Sequence, residues 1–243
     1  VTKQAAAEIY VGTDYKETSI SSNVYKIIRN CQLQGGLAIA CGDAGIGKTQ
    51  ACRQYYREHG TNCIYITVNP CIKSSKSVLE LIGSKLNVSS GSVSRLWLEI
   101  SSKLSDGMVI IVDEAQHLTR NAIDTLRSLC DCFDEKGQTL GICFVGNETT
   151  VSRLGGKQKA EFAQIRNRTK NTRFYSVKQI KKSDIEMLFP DIREDTAAVE
   201  FLLCIAQSPQ AIRGAVNLYS NALDNGNVTA KGLSAIAKYM DMA

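Results

Sequence analysis

Eight residues of this 243-residue chain, Gly42-Asp43-Ala44-Gly45-Ile46-Gly47-Lys48-Thr49, have the types and spacing to hold a nucleoside triphosphate. They form a complete Walker A phosphate loop, G-x-x-x-x-G-K-T. Its glycines let the backbone fold tightly enough to turn N–H groups toward phosphate oxygens. Lys48 is expected to reach the β- and γ-phosphates, and the Thr49 hydroxyl to ligate Mg2+. The expected nucleotide-binding residues are therefore Gly42, Asp43, Ala44, Gly45, Ile46, Gly47, Lys48, Thr49 and the adjoining Gln50.

A second cluster follows the apolar run Met108-Val109-Ile110-Ile111-Val112, which leads directly into Asp113-Glu114. A strand apolar throughout is buried on both faces, and two acids at its end make a Walker B pattern. Asp113 is placed to hold Mg2+ through water, and Glu114 to orient and deprotonate the water that attacks the γ-phosphate. The plainer alternative is that the two acids cap the helix predicted over about 119–135. Asn147 ends another apolar run, Leu140-Gly141-Ile142-Cys143-Phe144-Val145-Gly146. If that strand lies between the two Walker strands, Asn147 sits beside the γ-phosphate in the sensor 1 role. Otherwise it is a turn former.

From 153 to 182 the chain is strongly basic, including Arg153, Lys157, Lys159, Arg166, Arg168, Lys170, Arg173, Lys178, Lys181 and Lys182. This is either a solvated surface or, just after sensor 1, the place for an arginine finger that stabilises charge on a neighbour's γ-phosphate. Arg168 and Arg166 are the candidates, with Arg173 next, and the remaining cations could meet DNA phosphates. Arg213, early in a predicted helix, could point back to the phosphates as sensor 2, although a lone helical arginine is more often surface.

These residues need a scaffold. The predicted fold class is α/β: a three-layer P-loop arrangement with a five-stranded parallel sheet and a small C-terminal helical lid. Residues 1–20 are polar and weakly patterned and read as an N-terminal arm. Residues 21–178 form the nucleotide-binding α/β domain and 179–243 the lid. A helix capped by Ser21 or Ser22 runs through Val24, Ile27, Ile28 and Cys31 to Gly35-Gly36. Strands are expected at 37–41, 63–68, 108–112, 140–146 and 172–177, and the intervening helices imply parallel pairing. Two of those helices, about 75–87 and 92–104, follow the second strand. After the fifth strand the pattern is entirely helical, at about 182–189, 195–206, 209–225 and 229–241.

Bulk composition sets limits on function. Hydrophobic residues at 44% and charged residues at 22% are ordinary for a globular protein and exclude collagen-like or disordered classes. A formal charge of +5 suits a polyanionic partner without requiring one. The nine cysteines, several inside apolar runs, read as small core residues of a reducing compartment. With two histidines, His59 and His117, no metal cluster of familiar spacing can be assembled. Neither a membrane-spanning stretch nor a leader pattern is present, so a cytoplasmic location without membrane partners is expected. The chain begins at Val1 rather than Met, which leaves an upstream segment open.

In this order, Walker A, Asp113-Glu114-Ala115, Asn147, the basic segment and Arg213 resemble an AAA+ ATPase of the MuB type, the target-capture ATPases of phage Mu and related transposon regulators. The residues most similar are Cys41 to Thr49, Ile110 to Leu118, Val145-Gly146-Asn147, Gly155-Gly156 with Glu161-Phe162-Ala163, and Ile205-Ala206-Gln207-Ser208-Pro209-Gln210-Ala211-Ile212-Arg213. The resemblance runs from about residue 15 to the C-terminus. It implies ATP-dependent binding of duplex DNA with little sequence preference, assembly into helical filaments on that DNA, and delivery of the DNA to a transposase that stimulates hydrolysis. It also ranks Arg168, after Glu161-Phe162-Ala163, above Arg166. Two departures stand out. The family's N-terminal helix-turn-helix region has no expected counterpart here, and the family's basic linker after the second strand is Asn87-Val88-Ser89-Ser90-Gly91-Ser92 in this chain. Lys73, Lys76 and Arg95 are the substitute DNA contacts expected here.

Two further classes compete. A helicase-loader-like ATPase would remodel a protein partner without coating DNA. A small-molecule kinase is disfavoured, because Glu114 beside Asp113 suits water activation.

Overall fold

The computed structural model describes residues 15–150 and 169–242. Arg166 and Arg168, with Arg153, Lys157 and Lys159, lie outside the described residues. The chain divides into two compact units, Asn23–Ser176 and a smaller one combining residues up to Ser22 with Val177–Ala243.

The larger unit is built on five parallel strands, β1 (Gly36–Gly42), β2 (Cys63–Thr67), β3 (Met108–Asp113), β4 (Leu140–Gly146) and β5 (Thr169–Tyr175), in the order β2-β3-β4-β1-β5. The all-parallel five-stranded sheet predicted from sequence is thus present. β3 and β4 are buried at every position, which is why their sequences are unbroken apolar runs instead of alternating ones. β4 lies between β1 and β3, with Cys41 paired to Gly146 and Val112 to Phe144. The carboxyl ends of both Walker strands and of β4 therefore meet at one edge, where open α/β sheets bind ligands.

Helices α1 (Ser19–Gln34), α2 (Lys48–His59), α3 (Ser75–Lys85), α4 (Val93–Lys103) and α5 (Arg120–Glu135) accompany these strands. Their starts are chemically marked. Ser74 and Ser77 form a reciprocal capping box on α3, and the side chains of Ser92 and Thr119 cap α4 and α5. The core gathers Ile39, Ile66, Leu79, Leu96, Ile110, Val112, Leu126, Phe133 and Phe144.

Two boundaries differ most from the sequence prediction. α1 starts at Ser19, before Ser21 and Ser22, because Thr18 is the cap: its hydroxyl oxygen accepts the Ser21 N–H at 3.3 Å and its carbonyl the Ser22 N–H at 2.9 Å. β5 starts at Thr169 instead of about 172. It is an edge strand whose residues Lys170, Thr172, Arg173 and Phe174 are exposed, so its first half carries no apolar signal.

The smaller unit is helical: α6 (Lys182–Leu188), α7 (Thr196–Ala206), α8 (Ala211–Asp224) and α9 (Ala230–Tyr239), around buried Val199, Leu202, Ala215, Leu218 and Leu233. Asp195 and Thr229 cap α7 and α9. Asp184, 2% exposed, accepts the N–H and hydroxyl of Ser19 on Oδ1 and the Lys181 N–H on Oδ2.

Candidate active site

The phosphate loop is held from both ends. Ile46 is fully buried and anchors the loop in the core, while Gly47, in the left-handed region at φ 98°, forms the N-cap of α2. No L side chain tolerates that conformation cheaply, and it turns the chain into the helix whose N-terminus faces an incoming anion. Gly42 has a different duty. A Cβ there would stand 1.9 Å from the Tyr175 carbonyl oxygen, so the missing side chain admits β5. The Asp43 N–H then donates to Tyr175 O at 3.0 Å, extending the ladder. Ala44 and Gln50 are exposed.

Lys48 folds over its own loop, its Nζ donating to Gly42 O at 2.9 Å and Asp43 O at 2.6 Å. Burial lowers its pKa below the ordinary lysine value, opposed by Asp113, Glu114, Cys41 and Asp43. A half-buried cation at a helix N-terminus, bonded to two carbonyls, is ready to exchange them for phosphate oxygens.

Asp113, 2% exposed, faces that loop. Its burial pushes its carboxyl above the usual carboxylate range, against hydrogen bonds from the Thr49 hydroxyl, the Tyr65 hydroxyl and the Glu114 N–H. The Tyr65 bond measures 3.0 Å and the Glu114 bond 2.9 Å. Thr49 and Asp113, expected on either side of one Mg2+, are thus in direct contact. The donor set here is a hydroxyl and carboxylates, oxygen only, which suits Mg2+ over softer metals. The residues present fit that ion, and a divalent charge would supply what Asp113 lacks in its buried position.

Glu114 is one of the non-glycine residues in the left-handed region, at φ 58°. Such backbone strain costs about 1–3 kcal/mol and persists where surrounding structure enforces it. Here the Glu114 N–H donates to Asp113 Oδ1 at 2.9 Å and the Glu114 carbonyl accepts the His117 N–H at 3.0 Å, and in the 3-10 turn Ala115–His117 the Gln116 Nε2 donates to Glu114 Oε2. Gln116 Oε1 in turn accepts the Asn147 N–H at 3.3 Å. Asn147 stands at the exposed end of β4, and its Oδ1 accepts from the Thr149 N–H and hydroxyl at 3.0 and 2.6 Å. That leaves the Nδ2 amide as the donor Asn147 can present to a phosphate.

Lys48, Thr49, Asp113, Glu114 and Asn147, separated by up to a hundred residues in sequence, are therefore assembled at one edge of the sheet. Two members of the network were not predicted. Tyr65 lies two residues before Thr67, which pairs with Asp113, so a hydroxyl-bearing residue in the apolar β2 run was the available signal. Gln116 is reached only through the turn after β3.

The other predicted residues lie elsewhere. Lys73 and Lys76 are exposed on the loop and helix after β2, where Asn69 Oδ1 accepts the Cys71 and Ile72 N–H groups and Lys73 O accepts the Thr119 N–H. Arg95 is exposed on α4, paired with Glu99 at 2.6 Å. Arg213 is exposed in the first turn of α8, after Ala211, which adopts φ 56°. Arg173 is exposed on β5.

The AAA domain family matches residues 31–154, slightly more than half of the chain. The chain is 29% identical over 236 residues to the "ATP-dependent target DNA activator B" of Escherichia phage Mu, covering 94% of this chain and 71% of that protein. It is 28% identical to the "Mu-like prophage FluMu DNA transposition protein B" of Haemophilus influenzae, covering 88% of this chain and 75% of the relative. Among solved structures, the ORC2 protein of Aeropyrum pernix superposes with a TM-score of 0.63 at 12% identity over 93% of this chain and 71% of the other. The RuvB branch-migration motor of Thermotoga maritima gives 0.56 at 15% identity over 96% and 70%. At such identities these two speak for the fold alone. With its phosphate loop, its paired carboxylates and its five parallel strands, the chain belongs to the AAA domain family and is an ATPase.

Proposed function

We propose that this ATPase is a target-DNA activator: it binds ATP with Mg2+, assembles on duplex DNA into helical filaments with little sequence preference, and delivers that DNA to a transposase whose contact stimulates hydrolysis. The observation that carries this reading is the similarity to named ATP-dependent target DNA activators over 94% of the chain.

At the site, the loop N–H groups and Lys48 bind the triphosphate. Thr49 and Asp113 would hold Mg2+, which when bound would compensate charge on the phosphate oxygens. Glu114 Oε1 or Oε2 takes a proton from the attacking water as the water oxygen bonds to the γ-phosphorus and the bond to the bridging oxygen breaks. Asn147 Nδ2 orients that water or the γ-phosphate. Arg168, with Arg166 as the alternative, supplies charge from a neighbouring protomer, and Arg213 senses the nucleotide from its helix. Lys73, Lys76 and Arg95 contribute phosphate contacts to DNA.

Sedimentation of the full chain with long duplex, with and without ATP, tests the reading. Binding should require ATP and weaken steeply as salt rises, because each neutralised phosphate releases counterions. DNA that stays in the supernatant at low salt with ATP overturns it. Negative-stain images showing closed rings instead of filaments would favour the helicase-loader class. Arg168→Ala should bind ATP as a monomer yet fail to hydrolyse it in the assembly, and normal hydrolysis would move the finger to Arg166 or Arg173.

A further inference from the structure

Gln116 is bonded at both ends of its amide. Its Nε2 donates to the carboxylate of Glu114, and its Oε1 accepts the backbone N–H at Asn147, 3.3 Å away. The residues it joins lie at the ends of β3 and β4, the adjacent strands that bracket the position expected for the γ-phosphate. The amide also occupies a space kept for it. A Cβ on Gly146 would fall 2.5 Å from Gln116 Oε1 and 2.3 Å from Thr150 Oγ1. Thr150 is fully buried, and its hydroxyl has no hydrogen-bond partner among the described residues. Any side chain at 146 would therefore push the amide off the end of β4.

A glutamate side chain has several rotatable bonds, and a general base works only when held close to the proton it removes. Glu114 extends from a left-handed backbone position, which sets where its side chain begins but not where its carboxylate ends. The Gln116 N–H occupies one lone pair of Oε2 and so selects the carboxylate's orientation, while other lone pairs remain to accept a water proton. Because the opposite end of the same amide is fixed to Asn147, a displacement of Asn147 is transmitted to the carboxylate through one rigid planar group.

We infer that Gln116 is a positioning residue for ATP hydrolysis, its amide tying the carboxylate of Glu114 to the Asn147 backbone so that the two move as a unit. The inference rests on the reading of Glu114 as the base. It distinguishes the donor end of the amide from the mere volume of the side chain. Glutamate at 116 would preserve the shape and could still accept the Asn147 N–H, yet an ionised carboxylate cannot donate to Glu114 and sets a like charge beside it. Alanine removes both bonds but adds no repulsion.

Steady-state hydrolysis by the full chain, together with the affinity for a non-hydrolysable ATP analogue, tests this in Q116A, Q116E, G146A and E114Q. Misplacing a catalytic group by about 1 Å can cost a hundredfold, so Q116A should lower kcat roughly ten- to a hundredfold with KM and analogue affinity unchanged. Q116E should fall further than Q116A, although it is the closer match in shape, and G146A should follow Q116A. Parental kcat in Q116E overturns the inference, since the side chain would then only fill space. So does a loss confined to KM and analogue affinity. An inactive E114Q beside a fully active Q116A overturns the inference alone, whereas an active E114Q overturns the reading of Glu114 and this inference with it.

Discussion

Gly42→Ala is the most direct test of why the phosphate loop begins with glycine. The new Cβ would meet the Tyr175 backbone at 1.9 Å from its oxygen, 2.7 Å from its carbonyl carbon and 2.9 Å from its nitrogen. None of these atoms can rotate away. Reaching an ordinary contact of about 3.5 Å means separating β1 from β5. That separation breaks the 3.0 Å bond from the Asp43 N–H to Tyr175 O, worth about 1 kcal/mol net, and overpacking adds roughly 1–3 kcal/mol. The backbone at φ 156° is a further strain for an L residue, of about 1–3 kcal/mol. Together these cost roughly 3–7 kcal/mol, and a protein of this length loses about 2–4 °C of Tm per kcal/mol.

Thermal unfolding without nucleotide, so that ligand binding does not mask the loss, should show Gly42→Ala melting at least about 6 °C below the parent. Gly107→Ala is the control. Its φ is 75° and a Cβ there meets nothing within 4 Å among the described residues, so only the conformational cost of about 1 kcal/mol remains. If Gly42→Ala melts no lower than Gly107→Ala, the close approach of β5 is not what glycine serves at this position, and the reasoning fails. The variant should also bind ATP weakly, because Lys48 is oriented by the Gly42 carbonyl.

Other outcomes follow from the same site. Glu114→Gln should retain ATP binding and lose about a hundredfold or more in hydrolysis, trapping filaments; phosphate release at the parental rate would place the base elsewhere. Lys48→Ala should lose nucleotide binding altogether, read by fluorescence of a labelled nucleotide. In the parent, burial lowers the Lys48 pKa, and bound phosphate raises it again. Affinity should therefore fall as pH rises through the lowered value of the free protein, and so at less alkaline pH than an ordinary lysine near 10.5 would dictate. Affinity unchanged up to that value would refute the burial argument. Burial pushes the Tyr65 hydroxyl up to about 12, with Asp113 adding to the rise, so it remains a donor at neutral pH. Tyr65→Phe should cost about 1–2 kcal/mol in urea unfolding at neutral pH. The cost should shrink as acid protonates Asp113, since the bond favours the ionised carboxylate; a cost independent of pH would detach Tyr65 from that charge.

The Walker residues were legible because each motif is contiguous and its neighbours are local: Gly47 caps α2, and Asp113 ends a strand too apolar to lie at an edge of the sheet. The placement of Asn147 was legible only conditionally, since it depended on β4 lying between β1 and β3, as it does. The contacts of Tyr65 and Gln116 were not legible from spacing, for a physical reason. Tyr65 meets Asp113 through the register of β2 on β3, and Gln116 meets Asn147 across two strand ends, and neither contact is encoded by spacing along the chain. The same reason explains the late prediction of β5, whose edge position removes the apolar pattern that burial would have imposed. A motif specifies which groups perform chemistry; the groups that restrain them are specified by register. In this site the restraining amide and hydroxyl come from residues that the motif leaves unassigned, and substitutions there should alter turnover or stability while the nucleotide-binding loop is left intact.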